Sequence, residues 1–180
     1  MIPLRPSRLK FQERWPLYII VHHTHCKYPE FHTVSKDTDA YQTTKLVKYA
    51  FRTYQEDLEY HYIVEKNNNE VAISVGKPLF TVSKFPDIPD EFNNNAIHIA
   101  ILGNYDLDFP DVFLYNSMVY RLLLPFARVF KIKEKDIFFH KELSLDVKQT
   151  CPGEFSKKVF LDRKFRTMRG RNIPVRFRGK

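Results

Sequence analysis

Three histidines and a cysteine crowd into "IIVHHTHC", residues 19–26, at the end of an apolar run. A second group lies far along the chain in "FFHKELSLDVKQTCPG", where His140 closes an apolar stretch and Cys151 opens a Cys-Pro-Gly turn eleven residues later. Imidazole nitrogen and thiolate sulfur are the donors zinc prefers. A catalytic zinc takes about three of them and keeps one position for water. The segment 19–26 cannot supply all three alone, because neighbours on a strand point to opposite faces and His22 and His23 cannot easily share an ion. A thiol fixed by a proline-led turn and folded back toward a histidine makes a plausible ligand pair. The alternative for each histidine taken singly is a satisfied core or surface residue.

These residues need a scaffold. "LYIIVH", 17–22, is a continuous β-rich apolar run and predicts a strand buried on both faces. "SKDTD" signals a helix start, and Leu46, Ala50 and Tyr54 then fall on one helical face within 39–56. Two β-rich runs around "KNNNE" predict a hairpin over 59–76. Residues 77–95, with three prolines and "NNN", read as a long loop. "AIHIAILG", 96–103, is a second buried strand. A long helix is expected over 111–130, kinked or interrupted at Pro125. "DIFFHKEL" reads as a short strand running into a loop, and a last helix is expected over 154–166. Mixed strands and helices predict an α/β fold, a single domain with a mixed central sheet flanked by helices.

The 180 residues suit one domain with a real core, and 43% hydrophobic content excludes a disordered chain. Residues 157–180 hold ten Lys or Arg against one acid, a net of +9, whereas residues 1–156 carry 19 basic and 20 acidic groups. The globular part is therefore nearly neutral, and the basic character belongs to the C-terminus. The polar, proline-spaced residues 1–16 read as an arm, so the chain divides into that N-terminal arm (1–16), a globular domain (17–156) and a basic extension (157–180). Two cysteines make no disulfide framework, although one bridge is possible. No stretch approaches the ~20 apolar residues of a membrane span, so no membrane insertion is expected. "MIPLRPSRLKFQERW" has no apolar core of a signal peptide, which predicts synthesis in a cytoplasm.

A strand ending in His-His-Thr, then "DLEYHYIV", then a strand ending in Leu-Gly-Asn, then a late histidine before Thr-Cys-Pro-Gly form an ordered set over residues 15–156. It resembles the zinc-dependent N-acetylmuramoyl-L-alanine amidases of type 2, which include phage lysins and peptidoglycan recognition proteins. The resemblance implies Zn2+ held by His22, His140 and Cys151, with His23, His25 and Cys26 outside the ligand set. It implies that Tyr60 faces the metal and helps to stabilise an anionic oxygen. Two residues before the cysteine, where such lysins carry Lys or Thr, this chain has Gln149 with Lys148 beside it. Either Gln149 donates from its amide, or a shifted loop lets Lys148 reach in. The family's usual Ser-Ile-Gly reads Ala96-Ile97-His98, which puts an imidazole where glycine is usual and suggests a cleft wall. The cytoplasmic recycling amidases of the superfamily differ more, with aspartate for Cys151 and glutamate for Ala100.

The implied reaction is hydrolysis of the amide between N-acetylmuramic acid and L-alanine, with peptidoglycan as the partner and the loop 77–95 as a groove wall. A lysin of this kind acts on the wall after phage-type release. A peptidoglycan-binding protein that does not cut is the competing reading, although such proteins typically lack the cysteine ligand. The basic tail suits anionic envelope polymers, with nucleic acid as the other polyanion to consider.

Overall fold

The computed structural model describes residues 15–28, 45–47, 50, 52, 58–67, 70–106 and 112–153. Five strands form one sheet: β1 (Tyr18–His23), β2 (Tyr62–Asn67), β3 (Glu70–Val75), β4 (Ala96–Ile101) and β5 (Ile137–Phe139). Their spatial order is β3-β2-β4-β1-β5. β4 is central and runs parallel to β1 and β2; β1 is in turn parallel to β5, and only the β2–β3 hairpin is antiparallel. The sheet is therefore mixed, as the sequence predicts.

Every residue from Ile19 to His23 and from Ala96 to Ile101 is buried. This is why these strands read as unbroken apolar runs: helices cover one face and loops with a helical segment cover the other. On the first face Ile19, Val21, Ile97, Ile99, Ile101, Ile137 and Phe139 pack against Leu114, Met118, Leu122 and Leu123. Each such side chain, fully buried, stabilises by about 1.5–3 kcal/mol. On the other face Ile20, Ala96, Ala100 and Ile63 pack against Tyr60, Leu58, Tyr28, Phe85 and Ile88. Leu46 and Ala50 join this cluster. They are among the described members of the helix predicted over 39–56, and Lys45, Val47 and Arg52 are helical with them. The rest of that segment, most of the arm 1–16, the helix predicted over 154–166 and the basic extension lie outside the described residues.

The covering helix is α2 (Val112–Met118) continued through a wider turn at Val119–Leu123 into α3 (Leu124–Val129). There the Leu124 N–H reaches back five residues to Val119 O. Pro125 follows at once; it has no N–H, and its ring would clash with a normally wound preceding turn. The kink or interruption expected at Pro125 thus takes the form of a local widening, and the helix runs on.

One expectation is corrected. Residues 77–95 are not loop throughout, because Asp90–Asn95 form a short helix, α1. Asp90 and Glu91 occupy its first turn, where acids suit the exposed N–H groups. Asn93 is buried; its amide donates to Phe85 O and Ile88 O, each at 2.8 Å, and its carbonyl accepts from Phe85 N at 3.2 Å. One side chain therefore pins the loop 85–88 to the helix.

A buried ion pair ties the start of the same loop to the approach to β2. Lys77 Nζ lies 2.8 Å from Glu59 Oε2, with both side chains 6% exposed. Lys77 also donates to Val82 O, and Glu59 Oε2 accepts from Lys84 N. Among the described residues no helix is long and apolar enough to cross a membrane.

Candidate metal centre

His22 stands one residue before the end of β1, on the same sheet face as Ile20 and Ala100, and β5 delivers His140 alongside it. His140 is the first residue of a one-turn helix, α4 (His140–Leu143), directly after β5. Both histidines thus stand at the carboxyl ends of adjacent parallel strands, where open α/β sheets place their ligand sites. Their ring centroids are 4.8 Å apart.

Cys151 is brought in by the chain's return. Lys141 N donates to Cys151 O at 2.8 Å, Cys151 N to Gln149 Oε1 at 3.1 Å, and Gly153 N to Thr150 O at 2.7 Å. Gly153 has φ +92, and a Cβ there would overlap the Tyr105 carbonyl. Glycine is therefore required to complete the turn that carries the thiol. Cys151 is buried and unbridged, so the one disulfide the sequence allows is not formed. Its Sγ accepts from His23 N at 3.3 Å, a contact that suits a thiolate.

The donor atoms of His22, His140 and Cys151 lie within 4.8 Å of one another. His22 Nδ1 is 4.0 Å from Cys151 Sγ. Nitrogen and sulfur donors bound to zinc at ~2.0–2.3 Å in a tetrahedron stand roughly 3.3–3.6 Å apart. The trio is therefore a slightly open version of a zinc ligand set, within reach of small ring rotations. His140 Nδ1 is buried without a partner among the described residues. A buried imidazole nitrogen is costly to leave unmatched, and an ion between the three residues would satisfy it. The residues present fit a metal.

The surroundings orient both histidines. His140 Nε2 lies 2.9 Å from Asp87 Oδ2. That carboxylate also accepts from Ser144 Oγ at 2.7 Å and Gln149 Nε2 at 3.1 Å. Burial works against the Asp87 carboxylate, but the bond from Ser144, the His140 ring and the bond from Gln149 together hold it below the usual range. On the other ligand, His22 Nε2 is 3.0 Å from His98 Nδ1. Burial, reinforced by the neighbouring histidines, pushes His22 well below the ordinary imidazole range and keeps it neutral, the form that ligates.

His23, one residue on, faces the other way. Its Nδ1 accepts from Tyr105 N at 3.0 Å, and burial lowers it to about 4 against the pull of Asp106. Tyr60 lies beside the trio, fully buried, its ring 5.4 Å from that of His22. Its hydroxyl donates to His23 O at 3.3 Å and Thr24 O at 3.5 Å. Gln149 is engaged at both ends of its amide, with Asp87 and with Cys151 N. Lys148 is exposed on the same loop, its N–H bonded to Asp146. His98, expected at a cleft wall, is instead buried against His22. Asp87 escaped the sequence reading, and "FPDIPD" carries no signal beyond a loop acid.

Residues 12–154 match the family model described as N-acetylmuramoyl-L-alanine amidase. No curated protein matches the chain. Among solved structures, the N-acetylmuramoyl-L-alanine amidase LysC of Clostridium intestinale superposes with a TM-score of 0.60 at 20% identity, covering 82% of this chain and 84% of that one. An endolysin of the Thermus scotoductus bacteriophage Ph2119 gives 0.60 at 20% identity over 86% and 88%. Drosophila peptidoglycan recognition protein SD gives 0.62 at 17% identity over 85% and 83%.

Proposed function

The chain belongs to the N-acetylmuramoyl-L-alanine amidase family, and from this premise we propose that His22, His140 and Cys151 hold its catalytic zinc. It is a peptidoglycan amide hydrolase; the reading added here is which residues do the work. The observation that carries it is the closed trio of buried donors with an unmatched nitrogen at His140. A zinc ion held there supplies a water ionisable near neutral pH and a Lewis acid for the scissile carbonyl.

The protein's own groups do the rest. Asp87 Oδ2 lies 2.9 Å from the outer nitrogen of His140, without the alignment of a full hydrogen bond, and steadies the ring with Nδ1 facing inward. Gln149 ties Asp87 to the backbone of Cys151, so the acid and the thiol are fixed by one amide. Tyr60 donates its hydroxyl to the oxygen that gains charge as the carbonyl is attacked, with Gln149 or Lys148 as the second donor. The bonds from Gln149 favour Lys148 for that second place, since the Gln149 amide is already engaged. Phe85 stacks on His22 at 4.5 Å and helps to keep bulk water off the ligand rings.

The direct test is digestion of purified sacculi with metal analysis. One zinc per chain is expected, together with release of stem peptides bearing a free L-alanine amine. Chelation should stop the reaction and added zinc restore it. Cleavage within the glycan or within the stem peptide would overturn the assignment. The non-cutting reading has a neighbour in Drosophila peptidoglycan recognition protein SD. Cys151 weighs against it, because binding a wall fragment needs no buried thiolate.

We take residues 17–156 as the catalytic domain and 157–180 as an extension that draws the enzyme to anionic envelope polymers. Replacing Arg169, Arg171, Arg176 and Arg178 by Gln is expected to slow digestion of sacculi at low salt. Hydrolysis of a small soluble muropeptide should be unchanged. The difference should shrink as salt rises, since such attraction is screened over ~8 Å at physiological ionic strength. Competition between DNA and purified wall separates the two polyanions, and preference for DNA would overturn the targeting role.

A further inference from the structure

His98 stands on β4 with its side chain on the site face. Strand register places it opposite Ile20, one step along that face from His22. The resemblance to amidases puts a glycine at this position, so nothing in that likeness assigns His98 a task. We propose that His98 is a positioning residue for the metal ligand His22: its Nδ1 accepts the Nε2–H of His22 and so turns His22 Nδ1 toward Cys151 and His140. The inference rests on the metal centre proposed above.

The hydrogen positions follow from the contacts. His22 Nδ1 faces Cys151 Sγ and must be bare to ligate, so the ring proton sits on Nε2. That nitrogen is 3.0 Å from His98 Nδ1, which must then be the acceptor. His98 therefore carries its own proton on Nε2, a buried nitrogen without a hydrogen-bond partner among the described residues, so the cost of that orphaned donor is set against the bond to His22. The opposite arrangement, with a proton on His98 Nδ1, would force one onto His22 Nδ1 and remove it as a ligand. A protonated His98 would set two N–H groups against each other.

Two further contacts fix His98. Its backbone N–H donates to His61 Nδ1 at 2.9 Å, so the His61 proton is on Nε2, which donates to Thr81 O at 2.8 Å. His61 is buried and both its nitrogens are used. Phe85 stacks on His98 at 5.0 Å and 11°, and on His22 at 4.5 Å and 16°. One phenyl ring thus covers both members of the bonded pair and shields the bond between them from water. His140 is held by a carboxylate and His22 by a neutral imidazole. The two outer contacts differ in charge, so the site gains one negative neighbour and not two.

The test measures zinc affinity of the full chain by competition with a chromogenic chelator, with circular dichroism as the check on folding. His98→Leu fills the space but removes the acceptor, and its zinc dissociation constant is expected to rise about 10–100-fold. His98→Asn restores an acceptor oxygen near the Nδ1 position and should bind zinc close to the parent level. A Leu variant that binds like the parent overturns the proposal, as does an Asn variant as weak as Leu. A second measurement needs no variant. Long-range proton–nitrogen spectra of the zinc-loaded parent should show His22 and His98 both protonated on Nε2 alone. A proton on His98 Nδ1 overturns the assignment even if no Leu variant folds. A parent that binds no zinc sinks the metal centre itself, and this inference falls with it.

Discussion

Cys151→Ala is expected to leave a folded protein that neither retains zinc nor cuts sacculi. The side chain removed is small, and the turn that carries it is held by the backbone bonds of Lys141, Gly153 and Gln149 rather than by the thiol. The structural cost is therefore modest. The chemical cost is large, because two imidazoles alone leave the ion one donor short. A loss in kcat/KM above ~10³-fold is expected, beyond the 10²–10³ of a single oxyanion donor. Cys26→Ala is the control and should keep both zinc and activity. Zinc content by elemental analysis and release of L-alanine termini read the two variants together. Equal loss in both would mean that the wrong cysteine has been chosen.

The second large effect is expected at Tyr60. Tyr60→Phe should lower kcat by about 10²–10³-fold, roughly 3–4 kcal/mol of transition-state stabilisation, with sacculus binding little changed. Phe preserves the ring that packs near His22, Tyr28 and Phe85. What it deletes is a hydroxyl whose contacts with His23 O and Thr24 O, at 3.3 and 3.5 Å, are long for O–H···O bonds. A donor so loosely held can turn to a better acceptor when one forms. Losing bonds this long should cost stability less than ~1 kcal/mol, so the melting temperature should barely move. A variant that cuts at the parent rate would make Tyr60 a core residue and nothing more.

Sequence carried the ligand-bearing ends further than their surroundings. Alternation along the strand showed only that His22 and His23 face opposite ways; the choice of His22 came from the resemblance to the amidases. The structure puts His23 with Tyr105 and Asp106, away from the trio. The Cys-Pro-Gly turn was legible because its residue types restrict the backbone. The partners of the ligands were not. That His98 meets His22 depends on the register of β1 and β4, which no periodicity in either strand reveals. Asp87 acts on His140 because Asn93 clamps the loop behind it. Asn93 belongs to "DEFNNN", most of whose residues are poor helix formers, so that the segment read as loop. Tertiary bonds from Asn93 override that preference. Gln149, with Lys148 as its alternative, was set as a donor by its place two residues before the cysteine in the resemblance, and the segment alone cannot show that the Gln149 amide is engaged at both ends.

The buried pair Glu59–Lys77 has a consequence for how this sequence can drift. Removing either partner alone strands a charge in a site that is 6% exposed, a loss of about 3–5 kcal/mol. That is a large share of the about 5–15 kcal/mol by which a domain is stable. Replacing both together strands no charge, and the remaining cost is the loss of the bonds to Val82 O and Lys84 N. The two positions, eighteen residues apart, are therefore an evolutionary ratchet: each is held in place by the other, and divergence must cross a valley or change both together. The loop they anchor leads to Phe85 and Asp87, so the lock reaches His22 and His140 without touching them. Recombination between distant homologues that exchanged one side of the pair and not the other would break the domain at a point far from any chemistry.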